Sequence, residues 1–109
     1  MTTRRIASVI ELRSEKEADY RALHADVWPG VVQTLHDNGV RNYSIFLHRG
    51  LLFSYLEFVG DDYGAAMTAI ASDPVTKEWW KLTDPCQTPV TSAESGEWWA
   101  ALEEVFHLD

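Results

Sequence analysis

The chain has 109 residues, with 9 Lys plus Arg against 17 Asp plus Glu, and a formal net charge of −8 at pH 7. That is the length of one domain spanning 1–109, and with 46% apolar and 24% charged residues it has the composition of a globular chain able to enclose a core. The negative balance argues against nucleic acid and anionic membrane as partners, because both recruit Lys and Arg; it disfavours a phosphorylated substrate and suits a small neutral ligand.

Residues Arg5 to Leu12 alternate, Ile6, Ser8, Ile10 and Leu12 against Ala7, Val9 and Glu11, which is the period of a strand. Ser14 then precedes Glu15 and Glu17, as an N-cap precedes an acidic first turn. Leu23, Val27, Val31 and Leu35 follow at helical spacing to a stop at Asn38-Gly39. Pro29 removes a backbone donor inside that helix and pushes Trp28 out of helical geometry, so a break is expected there. Tyr43 to Leu47 and Leu51 to Val59 read as two strands joined by a tight turn at Arg49-Gly50. Asp61 or Asp62 caps a helix through Ala71, and Asp73-Pro74 restarts a helical piece carrying Trp79 and Trp80. Thr83 to Ser95, with Pro85 and Pro89, reads as a loop before a short helical stretch around Glu97 to Ala101; Glu104 to Leu108 reads as the last strand.

The order is strand, helix, strand, strand, helix, strand, an α+β, ferredoxin-like βαββαβ arrangement. The second and third strands are apolar on both faces, and helices cover only one face of such a sheet. The same face of a second copy is the simplest cover for the other, so a homodimer is expected.

Cys86 is the single cysteine, so no intrachain disulfide or CxxC pair is possible and a cytoplasmic location is the default. The longest apolar run, Trp98 to Leu102, is far shorter than the roughly 20 residues of a spanning helix, so a membrane protein is not expected. The apolar stretch behind Arg4-Arg5 is cut short by Glu11 and Arg13, so no export signal is expected either.

Tyr20 and His24, at i and i+4, project from one helix face just before the break. An imidazole gives and takes protons near neutral pH and a phenol orients a hydroxyl beside it, although such a pair equally serves packing. Trp79 and Trp80 point about 100° apart on their helix, so one fills core while the other can present an indole to a ligand. Trp98 and Trp99 read as core or dimer packing. Tyr43 points either to the core or to the opposite cavity. Glu57 lies in an apolar strand, as a base, a hydroxyl acceptor or half of a salt bridge. His36, His48 and His107 lack metal-ligand spacing, so no metal is expected; Cys86 has no recognisable base, and no Gly-rich phosphate loop occurs.

The combination Tyr20-x-x-x-His24-x-x-x-Trp28-Pro29, Gly39-x-x-Asn42-Tyr43-Ser44-Ile45, Leu51-Leu52-Phe53, Trp79-Trp80 and the ending Glu104-Val105-Phe106-His107-Leu108 resembles the L-rhamnose mutarotase family over nearly the whole chain. The resemblance implies a homodimeric α+β barrel that works without a cofactor on a small neutral monosaccharide. It implies His24 as the catalytic proton donor and Tyr20, Tyr43, Trp79 and Trp80 as substrate-binding residues. Two stretches depart from the family's pattern: Asp84 to Trp99, which is longer, and the shorter turn His48-Arg49-Gly50. Alternatives on the same scaffold are another 6-deoxy sugar such as L-fucose, a small dimeric-barrel monooxygenase, and a non-catalytic sugar-binding module.

Overall fold

A computed structural model of the chain describes residues 3–109. A five-stranded antiparallel sheet is built on β1 (Thr3–Leu12), which pairs β3 (Leu51–Val59) on one side and both β4 (Gln87–Thr88) and β5 (Ala100–Leu102) on the other. The strand β2 (Val40–His48) pairs the outer edge of β3. This is a ferredoxin-like α+β arrangement, with the helices α1 (Glu17–Ala25), α2 (Pro29–Asp37), α3 (Tyr63–Ser72) and α4 (Pro74–Thr83) completing it.

Local chemistry accounts for the breaks. Trp28 takes an extended ψ of 132° ahead of Pro29, which divides the helical region into α1 and α2 at the expected place. The β2–β3 turn holds Arg49 and Gly50 at φ of 47° and 78°, the left-handed pair that a two-residue hairpin uses. Asp62 and Asp73 cap α3 and α4 through the backbone N–H groups of Ala65 and Thr76.

Three expectations are corrected. Ser14 does not cap the first helix: Ser14–Lys16 form a 3-10 turn, and α1 starts at Glu17 with no side-chain cap. The stretch around Glu97 to Ala101 is not helical, since β5 begins at Ala100 and is aligned by its pairing with β1. The last strand is Ala100–Leu102 rather than Glu104 to Leu108. Val105, Phe106 and Leu108 are strand-forming residues, but within one copy their apolar side chains meet no surface and stand exposed. Arg5 holds the base of this tail through two bonds to the Glu104 carboxylate, at 2.7 and 3.2 Å.

Strand register divides the sheet into two faces. Ile10 lies opposite Leu52, and Ile45 opposite Ser54, on the face where α1 packs. Ile10, Leu12, Tyr20, Leu52 and Cys86 form the core there, with Ile45, Leu47 and Trp99 against them. Full burial of Ile10 and Leu52 contributes about 2–3 kcal/mol each. The other face carries Ala7, Val9, Phe46, Phe53 and Tyr55, and Phe46 is 62% exposed.

Candidate active site

α1 ends at Ala25, one residue after His24 and ahead of the break at Pro29, and Tyr20 and His24 border one cleft with the β2 and β3 side chains Ile45, Leu47 and Leu52. The Tyr20 and His24 rings stack with centroids 4.1 Å apart. His24 Nδ1 is 3.0 Å from the Tyr20 carbonyl oxygen. A carbonyl can only accept, so Nδ1 carries the hydrogen, and in the neutral ring Nε2 keeps the lone pair. Trp79, on α4, meets the imidazole edge-on at 5.5 Å and Trp28 at 5.2 Å, and so buttresses His24.

Two clefts flank this cluster. A larger one, about 580 Å³, runs between α1 and α4 and is walled by Trp28, Trp79, Lys16 and Asp26. The smaller, about 290 Å³, is lined by Tyr20, Arg21, His24, Ala25, Ile45, Leu47 and Leu52. Only the smaller of the two has both the imidazole and the phenol in its wall, with an apolar floor from the sheet. Acid–base chemistry with selective polar contacts on an apolar base therefore fits the smaller cleft.

Burial pushes the Tyr20 phenol well above its ordinary range, and the neighbouring Tyr43 phenol adds to this. Tyr20 thus stays protonated at neutral pH and acts there as a hydroxyl, not a base. Tyr43 and Asn42 lie together in the β-bulge between Arg41 and Ser44, where Asn42 takes φ 50°. Tyr43 is half-exposed, and desolvation of its phenol raises its pKa, helped by Tyr63.

The structure therefore brings Tyr20, His24 and Trp79 into contact, while Tyr43 neighbours Tyr20 but lines neither cleft. Trp80 stands apart: Trp79 is 5% exposed and Trp80 37%, and Trp80 lines neither cleft. Glu57 lies opposite Arg5 and Arg41, on the face away from α1. Its carboxylate accepts from Asn42 Nδ2 at 2.8 Å and from the Tyr55 hydroxyl at 2.7 Å, and these bonds hold it below the usual carboxylate range. It ties down the bulge at Asn42 and does not reach the cleft. His36 lies on α2, His48 on β2 and His107 in the tail after β5, and among the described residues no three His, Cys, Asp or Glu side chains converge on one point. Sequence reasoning missed Gln87, which is buried and donates through Nε2 to the Tyr20 hydroxyl at 3.3 Å.

The family model described as L-rhamnose mutarotase matches residues 5–108. The chain belongs to the L-rhamnose mutarotase family. An L-rhamnose mutarotase of Lactiplantibacillus plantarum is 36% identical over 107 residues, covering 96% of this chain and 98% of that protein. The crystal structure of an L-rhamnose mutarotase from Formosa agariphila superposes with a TM-score of 0.76 at 28% identity, covering 97% of this chain and 99% of that one. Tetracenomycin F2 cyclase from Streptomyces glaucescens, a type-II polyketide cyclase, has a TM-score of 0.71 at 16% identity and covers 97% of both chains, a likeness of fold alone. As an L-rhamnose mutarotase family member the chain is an isomerase acting on a carbohydrate by anomer interconversion. The monooxygenase alternative rested on the shared scaffold and is not favoured. No helix of the family member among the described residues is long and apolar enough to cross a membrane.

Proposed function

We propose that the protein interconverts the α and β anomers of L-rhamnose by opening and reclosing the pyranose ring, with His24 as its proton carrier and without a cofactor. The observation that carries this reading is the fixed polarity of His24: the Nδ1–H bond to the Tyr20 carbonyl leaves Nε2 for proton exchange at a cleft with an apolar floor. Ring opening needs one proton to leave the anomeric hydroxyl and one to reach the ring oxygen, so that the C1–O5 bond breaks and the aldehyde forms. Rotation about C1–C2 and reclosure by the reverse transfers give the other anomer. His24 Nε2 serves one of these oxygens, and Tyr20 and Tyr43 orient sugar hydroxyls. Trp79 holds the imidazole in place, and Trp80, which lines neither cleft, is given no contact with the sugar. A neutral sugar suits the net charge of −8.

The working form in this reading is a homodimer of single-domain chains. The face carrying Val9, Phe46, Phe53 and Tyr55 has no helix over it, and the tail's Val105, Phe106 and Leu108 are exposed beside it; a second copy related by a two-fold axis buries both. A buried free thiol at Cys86 suits the reducing cytoplasm as its compartment. The test is proton NMR of the anomeric signals of L-rhamnose, with saturation transfer between them measured with and without protein and L-fucose run beside it. Faster exchange for L-rhamnose than for L-fucose supports the proposal. Faster exchange only for L-fucose reassigns the sugar, and sugar binding with no faster exchange makes this a binding module.

A further inference from the structure

Glu97 staples the segment that leads into β5: its carboxylate accepts from the backbone N–H of Glu94 at 2.8 Å and of Ala101 at 3.2 Å. Trp99 is thereby packed on the core while Trp98 reaches back over Gln87. Gln87 is itself fixed, 4% exposed with its backbone paired to Leu12 at the end of β1. Its side-chain amide spans the gap between two aromatic residues. Oε1 accepts from Trp98 Nε1 at 3.4 Å, and Nε2 donates to the Tyr20 hydroxyl at 3.3 Å.

The direction of this chain is dictated at its outer end. An indole N–H can only donate, so the amide must present its oxygen to Trp98 and its NH₂ to Tyr20; turning the amide over would set two donors face to face. The Tyr20 oxygen is thus occupied as an acceptor, and its own O–H must donate elsewhere. Tyr20 lies in the wall of the cleft that His24 shares. We propose that Gln87, oriented by Trp98, is a positioning residue that commits the Tyr20 hydroxyl to donate into the cleft, toward an oxygen of the bound sugar. This rests on the mutarotase reading of the cleft. It adds what that reading leaves open: beside His24 Nε2 the protein sets a donor of fixed direction, matched to a substrate that must lose a proton at one oxygen while another oxygen is held by a donor.

The test compares Gln87→Glu and Gln87→Leu, each alone and combined with Tyr20→Phe, by kcat/KM for L-rhamnose anomer exchange. Glutamate keeps the shape but only accepts, so it draws the Tyr20 O–H away from the cleft; leucine merely removes the donor. We expect Gln87→Glu to lower kcat/KM about tenfold, the scale of one hydrogen bond, and more than Gln87→Leu does. In the Tyr20→Phe background neither substitution should lower it further, because the hydroxyl they act through is gone. Equal losses with and without the Tyr20 hydroxyl would mean a purely structural role and overturn the proposal. A readout without sugar keeps this separate from the activity itself. The Gln87 side-chain amide proton resonances should shift on Tyr20→Phe and on Trp98→Phe with the fold retained. Resonances that stay put in both variants would refute the hydrogen-bonded chain even if anomer exchange is fast.

Discussion

Trp79 and Trp80 are neighbours with opposite expected costs on removal. Trp79 is nearly enclosed and packs edge-on against both His24 and Trp28. Trp79→Ala therefore removes a large buried ring whose surroundings relax only in part, at a cost of about 3–5 kcal/mol. Trp80 keeps more than a third of its surface in solvent, and its truncation should cost about 1 kcal/mol. At about 4 °C per kcal/mol for a domain of this size, Tm should fall about 12–20 °C for Trp79→Ala and about 4 °C for Trp80→Ala. Calorimetry at one fixed protein concentration, without sugar, measures both, because ligand or self-association would shift Tm independently. The kinetic consequences should also divide. Loss of Trp79 frees the imidazole and lowers kcat, whereas loss of Trp80, outside both clefts, leaves kcat and KM for L-rhamnose little changed. A Trp80→Ala variant as destabilised as Trp79→Ala would refute the assignment of Trp79 as the buttress of His24.

Gly39 takes φ 88°, and a Cβ there would press on the Val59 carbonyl oxygen and sit 2.9 Å from the Phe58 ring. Gly39→Ala should therefore cost about 2–4 kcal/mol in denaturant unfolding, and a neutral result would contradict that packing. Hydrogen bonds from the Thr76 N–H and hydroxyl hold the Asp73 carboxyl below its ordinary range. Its folded pKa is thus below its unfolded one, so its contribution is present above about pH 4 and is lost as pH falls through the folded value. The Tm advantage over Asp73→Asn should shrink between pH 6 and pH 3, with pH values chosen around that carboxylate range, and a constant gap would contradict the cap. Phe46→Glu puts a charge in the uncovered sheet face. It should convert a dimer to monomers in light scattering, and an unchanged mass would move the dimer contact elsewhere.

What was legible in the sequence was mostly what neighbours along the chain decide. Pro29 broke the helix by its own covalent geometry, Arg49-Gly50 made the hairpin from two left-handed residues, and Asp62 and Asp73 capped from within their own turns. The i, i+4 spacing placed Tyr20 and His24 together for the same reason. The end of the chain was set by distant partners: β5 takes its position from residues Ala7 to Val9, more than 90 positions earlier, so local propensity put the strand too late. A carboxylate at Glu57 in an apolar strand is unusual on sequence alone, but the face it occupies depends on register with β1 and on the bulge at Asn42. Gln87 carried no local signal, because its meaning comes from Tyr20, 67 residues away, and from the way Glu97 folds Trp98 back.

The most direct test of the account is saturation transfer between the two anomeric protons of L-rhamnose with wild-type protein and with His24→Ala at matched concentration. If His24 Nε2 carries the proton, the wild type accelerates exchange and His24→Ala loses about 10²–10⁴ of that acceleration while keeping its mass and fold. Equal acceleration by the two proteins would remove His24 from the chemistry and contradict the account.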